Sequence, residues 1–123
     1  MKNTHLIISS IIILPVAIAY GVAPGMIWYS LFDFKVLTPD LHNIFRGIMG
    51  LYISMVGIWC VGIFKQKYWE TATILNMVFM AGLAAGRIIS LIKDGIPSTI
   101  LMIGLAVEMV LAILSYYNWR KYS

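Results

Sequence analysis

Charged residues are spaced so unevenly in this sequence that none occurs in the 30 positions from Asn3 to Phe32. A helix needs about 20 mostly apolar residues to cross the hydrocarbon core of a bilayer. This stretch is therefore long enough to span a membrane by itself. A globular domain in water would expose much of so long an apolar segment, which soluble proteins avoid.

Composition extends the same conclusion to the whole chain. Apolar residues make up 61% of the 123 positions, and charged residues make up 11%. Soluble domains carry about 45–50% apolar and roughly 25% charged residues. A chain of this size buries only about two thirds of its unfolded surface, so the excess cannot be hidden from water. These values exclude a soluble enzyme, a nucleic-acid-binding module and a disulfide-stapled secreted domain.

The remaining apolar runs are shorter, because each is interrupted by a charged residue. They predict four membrane spans in one domain covering residues 1–123, at about 6–23, 41–64, 69–92 and 97–117. The last three spans each contain an ionisable side chain. We therefore expect an all-α, integral membrane four-helix bundle.

Two interpretations of the N-terminal stretch are open. Lys2 followed by an apolar segment and Ala17-Ile18-Ala19 could form a signal peptide with its cleavage site. The stretch is longer than the apolar core of a signal peptide, so we expect a retained first helix. Pro24 is the expected helix breaker, and residues 26–32, with Trp28, are expected at the membrane interface.

The distribution of Lys and Arg predicts the orientation. The N-terminus, the second loop and the C-terminus share five of them, whereas the first and third loops have two, Lys35 and Lys93. The positive-inside rule therefore predicts that both termini are cytoplasmic. The net charge of +4 suits anionic lipid headgroups and needs no nucleic acid. The five residues are Lys2, Lys65, Lys67, Arg120 and Lys121.

No motif indicates a metal or a cofactor. Cys60 is the only cysteine, and His5 and His42 are predicted at opposite membrane faces. No spacing of Cys and His is typical of a zinc site, and no phosphate-binding or nucleophile motif occurs. We therefore predict no metal site and no cofactor.

Polar residues within the predicted spans are the most informative positions for function. An ionisable residue at mid-membrane is expensive, so it should face protein and find a partner. Side chains tilt toward the N-terminus of their helix, so Arg87 and Glu108, on oppositely directed helices, should converge into an ion pair. Arg46 should point toward the outer interface near Asn43, where it is free to meet a ligand.

Small residues recur at helical spacing on three spans and predict faces for close helix packing. Packing within the bundle is favoured over packing in a homodimer, because each helix of a bundle must bury some face. The residues are Gly47, Gly50, Ser54, Gly57, Gly82, Gly86 and Gly104.

Taken in chain order, the polar and small residues of the last three spans are Pro39, Asn43, Arg46-Gly47, Gly50-Leu51-Tyr52, Gly86-Arg87, Asp94-Gly95 and Glu108. With Tyr20-Gly21 and Pro24, this pattern resembles a family of small bacterial four-helix membrane proteins named domain of unknown function 4345. The resemblance covers nearly the whole chain. It implies a multi-pass protein of the bacterial inner membrane and supplies no activity.

Two functions remain compatible with these residues. The first is a noncatalytic accessory or structural subunit of a membrane assembly, or a homodimer. The second is a carrier, sensor or binding protein for a small amphipathic anion or a lipid headgroup. Two arginines and one glutamate would leave a surplus positive charge, which would favour an anion. The hypothetical ligand-binding residues are Asn43, Arg46, Arg87, Glu108 and Asp94. An enzyme is less favoured, because no second reactive group is placed beside Glu108 and no catalytic residue is assigned.

Overall fold

Helices account for nearly all of the described chain. The computed structural model describes residues 1–22 and 38–123, and within these ranges it contains no β-strand. The helices are α1 (Thr4–Gly21), α2 (Pro39–Phe64), α3 (Trp69–Asp94) and α4 (Thr99–Tyr122), with a 3-10 turn at Gln66–Tyr68 between α2 and α3. All four are long and apolar enough to cross a membrane. The predicted all-α, four-helix architecture is confirmed.

Each helix overlaps one predicted span, and the largest difference lies at the C-terminus. There α4 continues to Tyr122, five residues past the predicted end. Hydropathy detects only the apolar part of a helix, whereas Arg120 and Lys121 are good helix formers that extend it. The predicted breaker Pro24, the interfacial segment 26–32 and Trp28 lie outside the described residues.

Local sequence signals set the helix ends. Thr38 caps α2 by accepting a hydrogen bond at Oγ1 from the backbone nitrogen of Leu41, at 3.1 Å, and Pro39 follows at the first helical position. The α3 helix ends at Asp94, and the residue that follows, Gly95, has a φ of 93°, which suits glycine. Four residues, 95–98, then connect α3 to α4.

The helices pack mainly as two neighbouring pairs, α1 with α2 and α3 with α4, and the pairs meet around a shared core. We call the end of the bundle that holds both chain termini and the 3-10 turn the terminal end, and the end at Gly21, Pro39 and Gly95 the opposite end. The core is formed by Leu6, Ile13, Ala17, Tyr52, Val56, Trp59, Trp69, Ala72, Met80 and Leu111.

The α1 helix contains a proline within its length. Pro15 has no backbone N–H, so the carbonyl of Ile11 loses its usual intrahelical donor. The helix nevertheless continues to Gly21.

Close helix approach occurs at other glycines than those predicted. Among the described residues, a Cβ added at Gly47, Gly50, Gly57, Gly82, Gly86 or Gly104 would have no neighbour within 4 Å, so the described helices do not approach each other closely at these glycines. Ser54 is exposed and bonds its own helix, at the carbonyl of Gly50.

For the glycines of α2, the reason is that a different face of the same helix is buried. Tyr52, Val56 and Trp59 bury a larger apolar area, and placing them in the core turns the glycine face outward. By contrast, a Cβ at Gly62 would collide with the methyl group of Ala72 on α3, and one at Gly21 would collide with Met49 on α2.

Candidate functional site

An ion pair joins α3 to α4 in the half of the bundle nearer the opposite end. Arg87 donates from Nε to both carboxylate oxygens of Glu108, at 2.9 Å each. The Glu108 side chain is 8% exposed, whereas that of Arg87 is 30% exposed. The predicted pairing of these two residues is confirmed, and it places opposite charges together where water is scarce.

The pair uses only one of the donor groups of Arg87. A guanidinium carries five N–H donors, and the Nε–H alone is engaged by Glu108. Within residues 1–22 and 38–123, neither terminal nitrogen of Arg87 has a hydrogen-bond partner. Arg87 therefore stays neutralised by Glu108 and still presents unused donors.

Arg87 and Glu108 both line a cavity of about 480 Å³ between α1, α3 and α4, with Tyr52 of α2 at one side. This volume lies within the ~300–1,000 Å³ range of small-molecule sites, which are mostly apolar with a few placed polar groups. The lining fits that description, since its hydrogen-bonding side chains are Tyr20, Tyr52, Arg87 and Glu108. The apolar lining residues are Ile12, Ile13, Pro15, Val16, Ala19, Met80, Leu83, Ile100, Leu101, Ile103, Gly104, Val107 and Leu111.

The cavity opens between α1 and α4. Pro15 on α1 is exposed, and Ile100 and Ile103 on α4 are 52% and 58% exposed while also lining the cavity. A rim made of apolar side chains is compatible with an opening that faces lipid. At the inner end, the buried side chains of Ile13, Met80 and Leu111 form the floor.

The structure does not assemble the five predicted ligand-binding residues into one site. Arg46 donates from Nη1 to the backbone carbonyl of Gly21, at 2.7 Å, and does not line the cavity. Gly21 is the last residue of α1, a position where helix carbonyls commonly accept hydrogen bonds from basic side chains. Asn43 is exposed and also lies away from the cavity lining.

Asp94 is separate as well, since it is exposed and accepts a hydrogen bond from Ser90 one turn earlier, at 2.9 Å. Only Arg87 and Glu108 come together. The predicted surplus of positive charge is therefore not present at this pair.

A second polar region, which the sequence reasoning missed, lies near the terminal end. His5 bonds Thr73 through Nε2, at 2.9 Å, and Asn118 through Nδ1, at 2.9 Å. The amide nitrogen of Asn118 also donates to the carbonyl of Lys2, so the same nitrogen faces His5 as a donor. His5 is therefore the neutral tautomer, which accepts at Nδ1 and donates from Nε2 to Thr73.

One turn further inside, Ser115 donates to Asn76 Oδ1, at 2.5 Å. The two layers join α1, α3 and α4 through side chains that are fully or almost fully buried. One sequence signal could have indicated this region, namely polar residues spaced so that they share a helix face. Thr73 and Asn76 are three residues apart, and so are Ser115 and Asn118.

Fold and site together define a class of small all-helical proteins. They have four candidate membrane spans and an ion pair between two helices on the wall of an apolar cavity. The chain belongs to the family described as Domain of unknown function (DUF4345), whose model matches residues 1–118, and the resemblance noted from the sequence is thereby confirmed. No curated protein and no solved structure gives a match. The family description states no activity, so the cavity is the basis for any functional assignment.

Proposed function

We propose that this protein is a membrane-embedded binding protein for a small amphipathic molecule held in the cavity between α1, α3 and α4. The observation that carries this proposal is an apolar cavity of about 480 Å³ with Arg87 on its wall, a residue whose terminal nitrogens have no hydrogen-bond partner among the described residues. An apolar body would fill the cavity, and its polar group would accept hydrogen bonds from Arg87.

We further propose that the protein lies in the bacterial inner membrane with both termini cytoplasmic. The excess of Lys and Arg at the terminal end supports this orientation. The Arg87–Glu108 pair would then lie in the outer half of the membrane, since Arg87 is seven residues before the end of α3, about 10 Å along the helix axis. The guest would then be a lipid of the bilayer or a molecule dissolved among its lipids.

A second candidate function is that of an accessory subunit, in a homodimer or a larger membrane complex. One observation favours it, the outward face of α2 formed by Gly47, Gly50, Ser54 and Gly57, where a Cβ at each glycine has open space around it. Small residues on an exposed face allow another helix to approach closely.

The cavity can be tested by filling it. Gly104 lines the cavity, and a Cβ placed there would meet no described atom within 4 Å, so Gly104→Leu adds apolar volume at the cavity wall and its first carbon fits without a collision. The matched control is Gly57→Leu, at an exposed helical glycine with equally open space that does not line the cavity.

Both variants and the unmodified protein would be extracted into lipid nanodiscs and analysed by native mass spectrometry. We expect a small amphipathic molecule on the unmodified protein and on Gly57→Leu, and its loss from Gly104→Leu. Equal retention in all three would refute the cavity proposal. Loss of a co-purified protein from Gly57→Leu alone would favour the subunit function.

A further inference from the structure

The formal charge of the cavity constrains the guest that it can hold. Among the described residues that line it, Arg87 and Glu108 are the only ones with formally charged side chains, and they carry opposite charges. Tyr20 and Tyr52 add hydroxyl groups without charge. Arg46, which would have supplied a second positive charge, lies against the end of α1 instead. The cavity is therefore electrically balanced before any guest arrives.

An anionic guest would disturb this balance. Its negative charge would join that of Glu108 around a single guanidinium, within a wall that is otherwise apolar. A buried charge without a partner of its own is strongly disfavoured, and like charges that share one site repel each other. Glu108 is 8% exposed, so water can do little to relieve that repulsion.

An uncharged oxygen acceptor avoids the conflict. The Nε–H of Arg87 keeps both bonds to Glu108, while its terminal N–H groups donate to a carbonyl or hydroxyl oxygen of the guest. Donors from a charged group make strong hydrogen bonds to neutral acceptors. The unused donors are then satisfied with no change in net charge.

The rim indicates the direction from which the guest comes. Exposed Pro15, Ile100 and Ile103 form an apolar border between α1 and α4. An apolar molecule dissolved in the bilayer can pass such a border without leaving its preferred environment, whereas a water-soluble anion cannot.

We infer that the cavity takes up, laterally from the bilayer, an uncharged amphiphile with an apolar body and a head that accepts hydrogen bonds through oxygen. This inference rests on the proposed binding function and specifies its ligand class.

The test compares two probes of equal chain length, methyl dodecanoate and dodecanoate, at pH 8.5, where the free acid is ionised. Binding to the full-length protein in nanodiscs would be measured by native mass spectrometry, with empty nanodiscs as the partition control. We expect the ester to bind at least about tenfold more tightly than the carboxylate. In Glu108→Gln, Arg87 loses its counter-charge, so we expect the preference to reverse toward dodecanoate.

The comparison in the unmodified protein decides the inference even if Glu108→Gln fails to fold. Equal binding of both probes, or tighter binding of dodecanoate, would overturn the uncharged-ligand inference and leave the binding function standing. Binding of neither probe, together with retained lipid that is insensitive to Gly104→Leu, would overturn the binding function itself. Tighter binding of the ester without reversal in folded Glu108→Gln would show that charge balance does not set the preference.

Discussion

The two halves of the bundle both bury polar side chains, but they do so in different ways. Near the terminal end, His5, Thr73 and Asn118 are uncharged and fill one another's hydrogen-bonding groups at full or nearly full burial. Toward the opposite end, Arg87 and Glu108 carry charge, and they border a cavity of about 480 Å³.

The difference separates two uses of polarity inside a helical bundle. Uncharged side chains that bond each other across three helices fix helix register. The amide nitrogen of Asn76, which has no hydrogen-bond partner among the described residues, lies away from the lining of the cavity. A charged pair with spare donors beside open volume is poorly explained by register alone, since one apolar pair would pack the same helices. Intrabundle polarity therefore indicates a binding site only where volume and unused hydrogen-bonding capacity occur together.

The sharpest challenge to this contrast is removal of one partner of the ion pair. Arg87→Met leaves Glu108 buried without its counter-charge, which should lower the free energy of unfolding by about 3–5 kcal/mol. The double variant Arg87→Met/Glu108→Leu should recover most of that loss, because both charges are gone. Reversible unfolding in mixed micelles measures both values. A double variant as unstable as the single one would mean that the pair itself supports the fold.

In the terminal half, His5→Leu should weaken the fold by at least about 2 kcal/mol, because Thr73 and Asn118 each lose a buried partner. The same unfolding assay applies, with Leu14→Ala, at an exposed position of the same helix, as the control for general damage to α1. Guest binding in the other half should be unchanged. Loss of bound guest with intact stability would contradict the separation of the two halves.

A smaller difference is expected between a glycine at a close helix contact, Gly62, and an exposed glycine, Gly57. Gly62→Ala brings a methyl group against Ala72, and overpacking of about 1–3 kcal/mol is partly offset by the better helix propensity of alanine. We expect a net loss near 1 kcal/mol, whereas Gly57→Ala should be neutral or slightly stabilising. Thermal unfolding of the two variants side by side would reveal the difference, and identical melting would mean that α2 and α3 can separate at Gly62 without loss.

The smallest effect is expected at Arg46. Its bond to the Gly21 carbonyl joins an exposed side chain to a helix end, so Arg46→Gln should change stability by less than about 1 kcal/mol and should leave guest binding unaffected. Asn43→Ala provides the comparison at a neighbouring exposed position. A clear loss of bound guest in Arg46→Gln alone would restore Arg46 to the binding site.

The four helices and the ion pair were predictable, because apolar length and the tilt of side chains along a helix are properties of each segment by itself. Arg87 and Glu108 needed only the opposite directions of α3 and α4 to be brought together. The partner of Arg46 was not predictable, since it depends on where α1 ends beside α2. The same holds for the small-residue face of α2, whose direction was decided by the competing bulk of Tyr52 and Trp59.

His5 and its partners escaped prediction for a related reason. Thr73 and Ser115 lower the hydropathy of a span very little, so hydropathy gives no signal of a polar layer, and their spacing from Asn76 and Asn118 does not by itself say which helices they join. Their bonds join residues far apart in the chain, such as His5 and Asn118, and only the packing of three helices brings those residues within reach.

Pro15 gives the cavity a mechanical property that the rest of its wall lacks. The residue lies on the cavity border in α1, and the carbonyl of Ile11 has no intrahelical donor there. Helices bend most readily where the backbone ladder is interrupted, so Pro15 is the position on the cavity border where α1 has the least backbone support. Below it, His5 ties the same helix to α3 and α4. One helix thus combines a segment bonded to its neighbours with a cavity-lining segment that has one backbone hydrogen bond fewer.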